Sequence, residues 1–294
     1  MRKRVGISNP SSWMQAGTQG AVRSEQPTRR DYQTRLAQLL CAPTHPLCAP
    51  NHPWKDRRDK QSYIARWVLE KSTTLDHPNF RKIARQDLEC MAEAYDRLFL
   101  GGLCLPLARS YGLSFRLSSR MTRAGGKTTR QVFRTLTGRP AITRYEIALS
   151  TSLLFQSFRK PGEKNRVCGI LCHDRLSAMQ RVVEHELIHL CEMLVWVQSD
   201  CAAGRFQGMA QSLFGHTEHR HELVTQQERA AKDFNIPLGA KVEFSLNGHR
   251  LTGFVNRITS RATVLVPDPS GTRYNDGRNY RKYYVPIHRL RRIR

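Results

Sequence analysis

Leu176 to Val197 reads LSAMQRVVEHELIHLCEMLVWV. Leu176, Met179, Val183, Leu187, Leu190, Leu194 and Val197 recur every three or four residues, which predicts a long helix with a buried stripe. Inside that stripe lies His185-Glu186-Leu187-Ile188-His189. Imidazoles at i and i+4 stand one turn apart on one face, so both can reach a single metal ion. Glu186 sits between them, placed to handle the proton of a water on that ion. The chemistry implied is metal-assisted hydrolysis with Zn²⁺ as cofactor, and it calls for a third protein ligand.

Upstream, Tyr63 to Leu69 predicts a short helix. Leu88, Met91, Ala92, Tyr95, Leu98 and Phe99 predict an amphipathic one, ended by Gly101-Gly102. Leu113–Leu117, Thr129–Leu136 and Arg144–Ser150 alternate as three short strands, with Arg120–Arg130 a basic, glycine-containing turn. Downstream, a polar break at Gln198-Ser199-Asp200-Cys201 precedes a helix from about Ala203 to Phe214, stopped by Gly215. Strands between helices predict an α+β layer. From Pro237 the pattern becomes short strands with turn dipeptides at Asn247-Gly248 and Asp276-Gly277, which predicts a small SH3-like or OB-like barrel.

The expected organisation is a loose, disordered basic arm over 1–60, a metal-site domain over 61–223, a linker over 224–236 and the barrel over 237–294. Cys41-Ala42-Pro43 and Cys48-Ala49-Pro50 echo each other inside the arm, a repetition ascribed to composition. Cys168-Gly169-Ile170-Leu171-Cys172-His173 has the look of a metal cluster, but its partly apolar context predicts packed thiols.

The 294-residue chain carries 48 Lys and Arg against 24 acidic residues, a net charge of +24. That surplus predicts a polyanionic partner, DNA or another nucleic acid. No apolar run is long enough to span a bilayer. No apolar stretch follows Met1-Arg2-Lys3-Arg4, so no secretory signal is expected. The eight cysteines lack C-x-x-C spacing and are expected to be reduced thiols. A cytoplasmic or nucleoid-associated setting follows, or a nuclear one in a eukaryote.

Between about Arg85 and Leu223 the chain resembles the SprT-like metalloproteases, which include the Spartan-type DNA–protein crosslink proteases. The resemblance rests on Tyr95 to Leu103, Leu117 to Gly126, Ile147 to Ser150, the H-E-x-x-H helix, and Phe206 to His216, in matching order and spacing. It implies a zincin-like fold, a zinc-dependent endopeptidase and a protein substrate bound to DNA. The family takes its third ligand from an H-G-x-x-F/W motif. Anchored on Phe206, that ligand position is Ala202 and the glycine position is Ala203. Alanine cannot bind zinc. Cys201 is the preferred substitute; Asp200, His216, His219 and His221 are the other candidates. Glu192 reads as a group that orients a ligand. The resemblance thus gives His185, His189 and Cys201 as metal ligands and Glu186 as the catalytic base.

Residues 237–294 hold twelve Lys and Arg against three Asp and Glu. Arg257, Arg261, Arg281 and Lys282 interleave with tyrosines, and Tyr283 is the expected aromatic contact. Cations for phosphates beside aromatics for bases suit single-stranded nucleic acid. The alternative to an enzyme is a non-catalytic nucleic-acid-binding protein with a structural or degenerate zinc site.

Overall fold

The computed structural model describes residues 27–41, 57–134, 141–160, 162–220 and 223–293. Its architecture is mixed α+β, with a three-stranded sheet among helices and a separate five-stranded antiparallel sheet. No helix among these residues is long and apolar enough to cross a membrane.

The central element is α6 (Arg175–Trp196), which contains the H-E-x-x-H sequence. Asp174 caps its start, accepting the backbone N–H of Ser177 at 2.7 Å, which satisfies one of the free donors of the first turn. Sixteen of its 22 residues are buried, far more than one stripe requires. The reason is enclosure from several sides. Helices α1 (Arg29–Cys41), α2 (Arg57–Lys71), α3 (Arg85–Phe99), α4 (Cys104–Tyr111), α5 (Thr151–Gln156) and α7 (Gly204–Phe214) surround it. The strands β1 (Leu113–Ser118), β2 (Gly126–Phe133) and β3 (Ile142–Ser150) form a sheet ordered β1-β3-β2. β1 runs parallel to β3, and β2 runs antiparallel to it with its outer edge open. β2 lies against α6. A two-stranded hairpin of β4 (Asn165–Val167) and β5 (Ile170–Cys172) leads into α6.

Three boundaries differ from the sequence reading. Within 1–60, Arg29–Cys41 is a helix that packs on α4 and α6, with Leu36 fully buried. Its low hydrophobic content hid it, because one buried leucine with two flanking apolar residues makes a weak period. The Cys41 end of the C-A-P echo is exposed, while Cys48 lies outside the described residues. β2 begins at Gly126, inside the stretch read as a turn, since its first residues are chosen for contact with α6 rather than for β propensity. The linker, whose sequence reads as polar and partly helical, does contain a helix, α8 (Gln226–Phe234), capped by Thr225, and is a packed element rather than a spacer. Arg229 on α8 bonds the Gln156 carbonyl, while Lys160 pairs with Asp233 at 2.9 Å. Ala230 on the same helix belongs to the core of the second sheet.

That sheet comprises β6 (Lys241–Leu246), β7 (His249–Ile258), β8 (Ala262–Arg273), β9 (Asn279–Val285) and β10 (Arg291–Arg292). Its order is β10-β6-β7-β8-β9. The expected barrel is not closed, because β9 and β10 do not pair. A two-residue β10 after the turn Ile287–Arg289 pairs only with β6, and closure needs a continuous ladder. Val242, Phe244, Val255 and Val264 face a small core with Ile236 and Leu290.

Candidate metal centre

His185 and His189 project from one face of α6, as their spacing predicts, and their Nε2 atoms are 3.1 Å apart. Two nitrogens bound to one tetrahedral zinc stand about 3.3 Å apart, given Zn–N distances of about 2.0–2.1 Å. Cys201 joins them: one ligand atom from each of His185, His189 and Cys201 lies within 4.8 Å of the others. The break after α6 makes this possible. α6 ends with Val197 at a positive φ of 69°, and the chain reverses so that α7 packs back along α6. Phe206, in the first turn of α7, lies against both imidazoles, with ring centroids 4.8 Å from His185 and 4.5 Å from His189.

The other ligand candidates are accounted for differently. The Asp200 carboxylate accepts the Ala202 backbone N–H at 2.9 Å and shapes the turn. His219 lines the same cleft as the metal group. His216 is buried against Glu184 instead, with Nε2 2.8 Å from Oε2. His221 lies outside the described residues. Glu192 is fully buried and spans two partners: Ser199 Oγ donates to it at 2.6 Å, and Arg205 Nε at 2.7 Å. Ser199 Oγ also meets His189 Nδ1 at 2.6 Å. With its hydroxyl proton committed to Glu192, Ser199 accepts from His189 Nδ1–H. That leaves His189 Nε2 bare and aimed at His185, the tautomer a metal needs. Burial also lowers the His189 pKa, opposed by Glu192 and Asp200, which keeps the ring neutral. Burial raises the Cys201 thiol, with Asp200 adding to it, so a metal at this sulfur must displace a proton.

Glu186 is buried beneath β2. Thr128 Oγ1 donates to Glu186 Oε2 at 2.8 Å. Burial pushes the carboxyl up to about 7, and the Thr128 hydrogen bonds pull the other way. A carboxyl balanced near neutrality both takes and returns a proton at physiological pH. Gly126 permits this placement. A Cβ there would stand 2.5 Å from Glu186 Oε1 and 2.7 Å from Val182 Cγ1.

These groups open on a cleft of about 890 Å³. Among the described residues its walls carry Arg123, Lys127, Arg220 and Lys232, with Glu228 as the acidic residue of the rim. Thr128, Gly126, Ser199 and this basic wall were not read as site residues, although Arg123, Gly126, Lys127 and Thr128 lie in the stretch read as a basic, glycine-containing turn. Their only sequence signal was position in a turn or linker, and neither has a period.

On the second sheet, cross-strand register sorts the basic residues by face. Arg257 pairs with Thr263 and Thr263 with Tyr284; Phe254 pairs with Leu265 and Leu265 with Lys282. These rows share the outer face. Tyr284 is 64% exposed and Phe254 38%. Tyr283 is on the other face, in register with Val264, its ring 5.6 Å from that of Phe244. It packs against the core, so Tyr284 takes its place beside the cations. Arg281 is paired with Asp268 at 2.8 Å, and Arg261 is exposed in the β7–β8 turn.

No protein-family model matches the sequence, and neither a curated protein nor a solved structure matches it significantly.

Proposed function

We propose that this chain is a zinc-dependent endopeptidase of SprT-like, zincin type that acts on protein held on nucleic acid. The observation that carries the reading is the convergence of His185, His189 and Cys201 beside the buried, Thr128-anchored carboxyl of Glu186 in one cleft. Two neutral imidazoles and a thiolate make a donor set that fits zinc. Zinc bound by these three residues supplies Lewis acidity, which makes water nucleophilic near neutral pH and polarises a carbonyl.

The rest of the chemistry belongs to the chain. Glu186 accepts the proton of the attacking water and delivers it to the departing amine. Thr128 holds the carboxylate in one orientation. Ser199 and Glu192 hold the His189 ring. β2 offers its open edge at Gly126, Lys127 and Thr128, where an extended peptide can add as a further strand. The cationic wall of the cleft and the outer face of the second sheet supply contacts for phosphates, and Tyr284 and Phe254 offer surfaces for bases.

The test uses zinc-loaded full-length chain and a protein crosslinked to single-stranded DNA. Wild type is expected to fragment the protein, and Glu186→Gln to lose about 10²–10⁴-fold in rate while keeping its zinc. Equal cleavage by Glu186→Gln overturns the mechanism. Ala202, standing where the family has a ligand, favours the alternative of a non-catalytic nucleic-acid-binding protein. Zinc-loaded wild type that binds the DNA and leaves the protein intact is the outcome that selects it.

A further inference from the structure

Behind the His185 ring, on the side away from the cleft ligands, lies a second group of donors. We propose that Cys168, His185 and His216 hold a second metal ion, of the zinc class, inside the protein. The site is independent of the peptidase reading and stands whether or not His189 and Cys201 bind metal.

The first support is the donor set. All three residues are buried, and one ligand atom from each lies within 4.8 Å of the others. Cys168 Sγ is 3.8 Å from His185 Nδ1. A sulfur and a nitrogen on one tetrahedral zinc stand about 3.5 Å apart, from Zn–S of about 2.3 Å and Zn–N of about 2.0–2.1 Å. Thiolate with imidazole is a borderline-soft combination that selects zinc over magnesium or calcium.

The second support is His216. Its Nε2 faces Glu184 Oε2 at 2.8 Å and donates to it. Glu184 is fixed in turn by Arg181 at 2.9 Å and by Gln61 at 2.9 Å. A carboxylate that accepts one ring N–H of a histidine, leaving the other nitrogen bare, is the usual support of a metal-bound imidazole. The bare atom here is Nδ1. It is buried and has no hydrogen-bond partner among the described residues. A buried nitrogen lone pair left without a donor is costly, and a metal ion satisfies it.

The third support is the backbone that delivers the sulfur. Cys168 and Gly169 form the two-residue turn of the β4–β5 hairpin, with φ of 53° and 78°. Asn-Gly is the usual pair in such a turn, because both positions need positive φ. Cysteine pays a steric penalty at the first position, which calls for a use of its side chain. The turn is docked onto the loop that bears His216. Cys168 N donates to the Arg220 carbonyl at 2.9 Å, and Thr217 N donates to the Cys168 carbonyl at 3.2 Å. Gly169 has no room for a Cβ, which would stand 1.9 Å from Thr217 Oγ1. Packing alone accounts for a buried thiol, whose Sγ lies 3.8 Å from the Arg181 carbonyl. It leaves His216 Nδ1 unexplained.

His185 presents Nε2 to His189 and Nδ1 to Cys168, so one imidazole serves both groups. Filling both sites releases three protons to solvent, from the Cys168 thiol, the Cys201 thiol and the His185 ring.

The test is metal content and cobalt spectroscopy on the full-length chain. Cys168→Ser is expected to hold about one zinc equivalent less than wild type, and Cys201→Ala also about one less. Co²⁺-loaded Cys201→Ala should keep a thiolate-to-cobalt charge-transfer band that the Cys168→Ser/Cys201→Ala double variant lacks. Zinc that falls with Cys201→Ala and not with a folded Cys168→Ser keeps the cleft site and overturns this one. Zinc that falls only with Cys168→Ser keeps this site and removes the basis of the peptidase reading. Should Cys168→Ser fail to fold, absence of the cobalt–thiolate band from Cys201→Ala overturns the proposal.

Discussion

Gly126 controls where the base of the cleft sits. Its missing side chain lets β2 close over Glu186, and a methyl group there meets Oε1 at 2.5 Å and Cγ at 2.6 Å. Gly126→Ala is therefore expected to push Glu186 out of the Thr128 hydrogen bond. Cleavage should fall at least tenfold while zinc content stays at the wild-type level; unchanged cleavage would show that the carboxylate has room to move. Ser199 bears on the proposed zinc site from the other side, through His189. Ser199→Ala removes the acceptor for Nδ1–H, and zinc affinity should weaken by about 10–100-fold, measured by competition with a chelator. An unaltered zinc constant would exclude the Ser199–Glu192 pair from ligand support. At this scale the sequence spoke clearly only where residues were tied to a helical period. His185, Glu186 and His189 were legible for that reason. Thr128 and Ser199 reach the site by tertiary folding, and no local spacing announces them; Cys168 stands in a segment with the look of a metal cluster, whose apolar context reads as packed thiols.

Among the elements, the junction of α3 and α4 carries a buried carboxylate that does two jobs. Asp96, near the end of α3, accepts the backbone N–H groups of Cys104 at 2.9 Å and Leu105 at 3.1 Å. It thereby caps α4. Burial pushes its carboxyl from 3.8 up to about 6, against those two hydrogen bonds. A carboxyl whose pKa is raised by folding binds more protons in the native state between those values. Its contribution to stability is thus fullest at low pH and declines as pH rises from about 4 to 6. The whole effect is on the order of 3 kcal/mol. With chelator present, Asp96→Asn should gain stability relative to wild type between pH 4.5 and 7, read by urea unfolding. A difference that is flat with pH would show that Asp96 does not titrate in that range. The long periodic helices and the strands β1 and β3 were legible, because each buries a regular face. α4 and α5 were not, being short helices held by caps and neighbours, and α8 showed only as partly helical character in the linker. The barrel expectation failed for a related reason: strand count is written in the sequence, but closure depends on which edges meet.

For the whole molecule, charge is distributed by sheet register. The outer face of the second sheet combines Lys241, Arg257 and Lys282 with Phe254 and Tyr284; the sequence named Arg257 and Lys282 but could not sort the tyrosines by face. Tyr284→Ala is expected to weaken single-stranded DNA binding by about 1–3 kcal/mol, the usual worth of one stacked base, with little change in thermal stability. Tyr283→Ala should do the reverse, lowering the melting temperature through lost packing against Phe244. Equal binding losses in both would mean that the faces are not distinguished. α8 connects this surface to the cleft. Arg229 bonds the Gln156 carbonyl and Asp233 pairs with Lys160 on the surface of the first unit, while Ala230 is sealed in the core of the second. Lys232 of the same helix stands in the cleft wall. A nine-residue helix therefore acts as a keel, its apolar side held in the second core and its charged side tied to the surface of the first unit, and a nick in the chain just before it is expected to leave one particle rather than two.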